Sequence, residues 1–189
     1  ERFEKQFHVL QKGNADIVGS QVIIINSLGR SIKTSHHPSK NNEIKYQLPY
    51  GNCINHPTIM MKKSTLEAIG LYNDEYRNSQ DYELWLRPLP KLQFANIDEP
   101  LVKYRKHPNR IGNKKNRHIQ TYYSVCAALN YFRNKFCLKY ISPNDPVFSI
   151  IQGFKEICAL ELSKRDRHCI NRHIMRLSRR CDLSKTQNQ

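Results

Sequence analysis

The sequence predicts an α/β domain over residues 1–112, followed by an all-helical region over residues 113–189. Three observations lead there. Residues Ile17-Val18-Gly19-Ser20-Gln21-Val22-Ile23-Ile24-Ile25 form a β-branched run suited to a buried strand. Short apolar strand segments then alternate with short helical ones as far as residue 112, the order of a sheet covered by helices. Beyond that point the strand pattern stops and only helical periodicity continues.

The elements follow in order. Residues 1–13 read as an amphipathic helix whose apolar face carries Phe3, Phe7 and Leu10, stopped at Gly13. After the β-branched run, Asn26-Ser27-Leu28-Gly29 turns the chain and Arg30–Lys33 returns as a short strand. Residues 34–42 are polar and carry Pro38, so they read as a loop, and Glu43–Leu48 as a short helix. Thr58-Ile59-Met60-Met61 reads as a short strand. Ser64-Thr65-Leu66-Glu67 has the form of a capping box, opening a helix that Gly70 closes. A loop over 71–78 leads to a helix from Gln80 to Arg87, with Ser79 as its N-cap and Pro88 and Pro90 as its break. Phe94-Ala95-Asn96-Ile97 is a strand, Pro100 turns it, and Leu101–Arg105 is another.

In the helical region, residues 116–137 form one helix. Asp145 and Pro146 read as N-cap and first-position proline of the next, whose apolar face includes Val147, Ile150, Ile151, Phe154, Ile157 and Cys158. A third, very basic helix covers 166–180, and the last residues read as frayed.

Net charge is +15 and unevenly spread. Residues 1–112 hold 16 Lys and Arg against 11 Asp and Glu, a net of +5; residues 113–189 hold 15 against 5, a net of +10. A basic tail suits an anionic partner such as phospholipid headgroups, nucleotide phosphates or nucleic acid; a solvated Lys/Arg-rich surface accounts for it equally. A nucleic-acid-binding module is the weaker reading, because no helix-turn-helix spacing, RNP-like aromatic motif or zinc finger is present. No run of eighteen apolar residues exists, so no single helix is expected to span a membrane. The six cysteines are well separated and form no C-x-x-C pair, which fits reduced, mostly buried thiols in a cytosolic protein. Cys169 and His173, four apart, with His168 adjacent, could begin a zinc site, but no second pair accompanies them. Glu1–Gln6 is a charged helix start, not a signal peptide, and with no initiator Met the sequence is expected to come from within a longer reading frame.

Asp81 is the first candidate for chemistry. An N-cap at Ser79 puts it in the first helical turn, where unpaired backbone N–H groups favour a carboxylate. A fixed, ionised carboxylate is what a general base requires. The plainer account is that acidic residues are common in first turns because they stabilise them.

Five segments add to this. They are Glu1–Gln6, Gly51-Asn52 with His56-Pro57-Thr58, Gly70-Leu71-Tyr72-Asn73, Gln80-Asp81-Tyr82-Glu83-Leu84-Trp85-Leu86-Arg87, and Pro100-Leu101-Val102-Lys103-Tyr104-Arg105-Lys106-His107. In that order and spacing, residues 1–110 resemble the acceptor-side half of glycosyltransferase family 2, which has the GT-A fold, a twisted, mostly parallel Rossmann-like sheet. The resemblance implies an inverting transferase. It would move a sugar from a nucleotide-sugar donor to a glycan or lipid-linked acceptor of a surface polysaccharide, such as lipopolysaccharide or capsule. By it, Asp81 is the base that deprotonates the acceptor hydroxyl. Gln80 replaces the usual glutamate, keeping hydrogen bonding without charge. Asn52 and His56 would line the acceptor pocket, His56 being alternatively a structural histidine. Arg105 could approach a phosphate or be an ordinary exposed strand arginine. His107 would help hold a divalent cation, Mn²⁺ or Mg²⁺, or be a surface histidine. Trp85 is expected to pack its helix.

The family's nucleotide-binding strands and its Asp-x-Asp metal motif have no counterpart here. The cation is therefore expected in a complete enzyme and not bound tightly by these residues alone, which are not expected to transfer sugar by themselves. An open sheet edge and an exposed apolar face are expected with them. A cytoplasmic location, peripheral to an anionic inner membrane face, follows from the acceptors of such relatives. The alternative within this resemblance is a non-catalytic remnant of a truncated gene.

Overall fold

The computed structural model describes residues 1–108, 110 and 117–180. The expected boundary at 112, the helix start at 116, Cys181 and the frayed end lie outside the described residues. The chain is α/β and forms two compact units. One holds Glu1–Leu71 with Pro88–Arg110, the other Tyr72–Arg87 with the helical region from Ile111.

The sheet unit is built on β1 (Ile17–Ile25), buried along most of its length as its β-branched composition requires. β4 (Phe94–Arg105) runs parallel to it from Ile17↔Phe94 to Ile25↔Arg105. β2 (Ser31–Thr34) pairs antiparallel with the end of β1, and β3 (Met60–Met61) antiparallel with its start. Among the described residues the sheet is mixed, with one parallel and two antiparallel pairs, compatible with part of a Rossmann-like domain. The turn at 26–29 is too short for a crossover, so β2 must return antiparallel.

Between β3 and β2 the edge of β1 meets loop side chains. The Ser20 amide donates to Thr58 Oγ1 (3.0 Å), Asn55 Nδ2 donates to the Ser20 carbonyl (3.3 Å), and the Val22 amide donates to Ser35 Oγ (2.8 Å). These bonds satisfy backbone groups that a third strand would otherwise take.

Pro100 does not turn the chain. β4 is one twelve-residue strand, and its register shifts opposite Ser20–Val22, where the proline's missing N–H is tolerated.

In α1 (Arg2–Gln11) the buried residues are Gln6 and Leu10, while Phe3 and Phe7 are 69% and 56% exposed. Of the expected apolar face, Leu10 is buried and Phe3 and Phe7 lie outward. Gln6 Nε2 donates to the carbonyls of Val18 (2.8 Å) and Thr58 (2.6 Å), and these bonds hold the Gln6 face inward. α2 spans Asn41–Gln47 and continues into a 3₁₀ turn at Leu48–Tyr50; a second such turn, His56–Thr58, takes the place of the start of the expected strand at Thr58. α3 (Lys63–Ala68) starts at Lys63 with Lys62 as N-cap, so Ser64 lies inside the helix and the expected capping box does not form. Gly70, at φ +87°, closes it as expected, its amide donating to the Glu67 carbonyl (3.2 Å).

The helical unit contains α4 (Gln80–Leu86), α5 (Arg117–Lys135), α6 (Val147–Cys158) and α7 (Lys164–Arg180). Ile150, Phe154 and Ile157 of α6 are buried, as its apolar periodicity predicts. Gly153 lets α6 approach closely, since a Cβ there would stand 2.6 Å from Ile141 Cδ1 and 3.3 Å from Leu129 Cδ2. Arg133, 5% exposed, pairs with Glu156 (2.7 Å) and donates to the carbonyls of Lys139 and Gly153. The N-cap of α6 is Pro146, not Asp145, whose carboxylate instead accepts from the Ser142 amide (3.0 Å). α7 begins two residues earlier than expected. Ser163 Oγ accepts the Asp166 amide (3.1 Å), a serine-x-x-acid signature that marks the start, and Asp166 also pairs with Lys135 of α5 (2.7 Å).

Candidate functional site

The candidate residues divide between the two units. Gln80 and Asp81 open α4 in the helical unit. Asn52 and His56 share the Gly51–Thr58 loop, and Arg105 and His107 the end of β4, in the sheet unit.

Asp81 stands in the first turn of α4, partly buried, with Glu83 as the second acid of that turn. Ser79 occupies the N-cap position, but its hydroxyl does not cap the helix. It lies 2.7 Å from Ser124 Oγ and 3.2 Å from the Gln120 carbonyl, both on α5. Glu83 is tied to Arg87 by paired bonds of 2.9 and 2.6 Å. Trp85 is fully buried, as expected.

Tyr72 belongs with this group and was not singled out from the sequence. Burial, and then the charge of Asp81, raise its phenol above the ordinary value. Its signal was its place in the Gly70-Leu71-Tyr72-Asn73 turn. Nearby, the Glu75 carboxylate accepts from Tyr140 Oη (2.8 Å) and Ser142 Oγ (3.0 Å), and these bonds, led by that from Tyr140, hold it below the usual carboxylate range.

In the sheet unit, Asn52 Oδ1 accepts the Ile54 amide (3.1 Å), shaping the loop. His56 is exposed and opens the 3₁₀ turn. The loop is anchored through Asn55 and Thr58, whose hydroxyl donates to the Asn55 carbonyl (2.7 Å). Arg105 Nη1 donates to the carbonyls of Asn26 (3.2 Å) and Ser27 (3.0 Å), so it fastens the β1–β2 turn. His107 is exposed, and its carbonyl accepts from the Arg110 amide (3.3 Å).

Among the described residues no group of three or more His, Cys, Asp or Glu side chains is placed to hold a metal ion. His107 alone does not make a site for a hard divalent cation, which takes six or more oxygen-rich ligands. Cys53 and Cys169 are buried, and burial pushes both thiols up to about 12, which leaves them protonated and poorly nucleophilic. No helix among the described residues is long and apolar enough to cross a membrane.

Comparison with known proteins supports a glycosyltransferase. The chain is similar to the O-antigen biosynthesis glycosyltransferase WbnJ of Escherichia coli, 35% identical over 130 residues, covering 67% of this chain and 48% of that protein. It is also similar to the uncharacterized glycosyltransferase MJ1057 of Methanocaldococcus jannaschii, 31% identical over 141 residues, covering 72% of this chain and 48% of that protein. The chain spans about half the length of these curated relatives. No family model matches it.

Proposed function

We propose that these residues form the acceptor side of an inverting, family 2-like glycosyltransferase with a GT-A-type domain, acting in surface-glycan synthesis. The observation that carries the reading is Asp81 in the first turn of α4, within a chain 35% identical to an O-antigen glycosyltransferase. The Asp81 carboxylate accepts the proton of an acceptor hydroxyl. The freed oxygen attacks the anomeric carbon of the donor from the face opposite the leaving group. The bond to the diphosphate oxygen breaks, its electron pair leaves with the nucleoside diphosphate, and the configuration inverts. Gln80, beside the base, hydrogen-bonds the acceptor without adding a second charge. Asn52 and His56 lie on a loop suited to an acceptor glycan. Arg105 and His107, exposed at and just after the end of β4, carry the cationic and imidazole groups that donor phosphates would take. The described residues do not fit a divalent cation by themselves, so no step is assigned to one.

A nucleotide-sugar and a glycan or lipid-linked acceptor are the partners this reading requires. The outward side of α7 carries Lys164, Arg165, Arg167, His168, Arg172 and Arg179, all exposed. Such a stripe favours anionic headgroups, and supports a peripheral position at the cytoplasmic face of a membrane where lipid-linked acceptors reside. Full-length protein incubated with a panel of UDP- and GDP-hexoses and a polyprenyl-linked acceptor is expected to yield glycosylated lipid of inverted anomeric configuration, read by NMR. No transfer with any donor, together with salt-dependent binding to RNA or DNA, would sink the proposal in favour of a nucleic-acid module.

A further inference from the structure

We infer that α5 is a positioning element for the base, with Gln120 and Ser124 as its working residues; the inference rests on the reading of Asp81 as that base. The segment running into α4 is held by directed hydrogen bonds from α5, at positions immediately ahead of Asp81. Asn130 Nδ2 donates to Tyr76 Oη (2.9 Å), Gln120 Nε2 donates to the Asn78 carbonyl (3.3 Å), and the Ser79 hydroxyl meets Ser124 Oγ (2.7 Å). Gln120 and Ser124 are one turn apart and share a face of α5.

Two details point to placement of α4 beyond general cohesion of the unit. The N-cap serine turns its hydroxyl away from its own helix and gives it to α5, although capping that helix is the commoner use of such a residue. Asn78 makes a left-handed bend at φ +59°, which asparagine adopts more readily than most residues, and Gln120 holds the carbonyl of that same residue. The direction in which α4 leaves this bend sets where the Asp81 carboxylate stands. Ser79 itself is 2% exposed, so its bonds to α5 are shielded from competition by water. The helical region thereby joins the reaction through geometry, by aiming the base.

The test uses the full-length protein carrying Gln120→Ala together with Ser124→Ala, with Ser124→Thr and Asp81→Asn alongside. Transfer from the UDP- and GDP-hexose panel is read as kcat and KM, and amide hydrogen exchange is read at Glu83 and Arg87. An error of an ångström in placement costs on the order of 10²-fold in rate, so the double variant is expected to lose about 10- to 100-fold in kcat with donor KM little changed. Exchange should quicken in α4 while α6 and α7 stay as in the parent protein. Ser124→Thr keeps the hydroxyl and should recover most of the rate. A double variant with parental kcat, or with unaltered exchange in α4, beside an inactive Asp81→Asn, overturns the positioning role and leaves the base in place. An active Asp81→Asn overturns both readings.

Discussion

Replacing Gly19 by alanine should destabilise the sheet unit by about 2–3 kcal/mol. The added Cβ would stand 2.3 Å from Asn96 Oδ1 and 3.3 Å from Thr58 Oγ1, where ordinary contact begins near 3.4 Å. Neither neighbour can give way cheaply. Asn96, 5% exposed, donates through Nδ2 to the carbonyls of Pro38 (2.7 Å) and Cys53 (3.3 Å). Thr58 Oγ1 is bonded to the Ser20 amide and the Asn55 carbonyl. Overpacking of this kind costs about 1–3 kcal/mol. Shifting Asn96 sacrifices hydrogen bonds worth about 1 kcal/mol each. The lower entropy of unfolded alanine returns roughly 0.5–1 kcal/mol.

The same geometry explains why Asn96 Oδ1 is buried with no hydrogen-bond partner: the bare face of Gly19 occupies the space in front of it. Asn96→Ala should therefore remove the clash while costing its own hydrogen bonds, about 2 kcal/mol. The double variant is then expected to be less damaged than the sum of the single ones by about 2 kcal/mol. Urea unfolding followed by circular dichroism measures all three. A Gly19→Ala within about 0.5 kcal/mol of the parent, or strict additivity in the double variant, would refute the close-approach argument.

Further expectations concern other parts of the chain. Arg133→Ala leaves the carbonyls of Lys139 and Gly153 without their donor; Glu156, 44% exposed, can turn to water, so the ion pair adds little. The cost should be about 2–3 kcal/mol, read as a lowered melting temperature. Burial holds His37 below its ordinary value of 6.5, outweighing its hydrogen bond to Asn55. The unfolded chain therefore takes up the proton first. The stability due to neutral His37 is complete above pH 6.5 and falls as pH drops from 6.5 toward the folded value, and His37→Gln should flatten that part of the stability profile.

Much of the fold was legible from local pattern. The β-branched run gave away β1, Gly29 its turn, and apolar spacing the buried side of α6. What failed locally was decided at a distance. Nothing near Gln6 says that its amide will bond to Val18 and Thr58 and leave Phe3 and Phe7 outside. Pro100 reads as a turn until β1 is beside it to absorb the bulge. Ser64 had the capping-box spelling without the cap; Ser163 had the cap and was passed over. In the candidate site, the position of Asp81 in a first helical turn could be read directly. Its setting could not: Ser79 and Ser124 are 45 residues apart, and residues 72–87 group with the helices though their sequence neighbours lie in the sheet unit. Tyr72 joins the group through the fold, where burial and then the charge of Asp81 raise its phenol.

The central claim is that Asp81 takes the acceptor's proton. The most direct measurement is kcat of the full-length protein and of its Asp81→Asn variant, with the active donor of the hexose panel. Asparagine keeps the size and removes the basic oxygen, so kcat should fall by about 10²- to 10⁴-fold with donor KM nearly unchanged. A variant that transfers sugar at the parental rate would contradict the account, and Asp81 would then be an acid that only steadies the first turn of its helix.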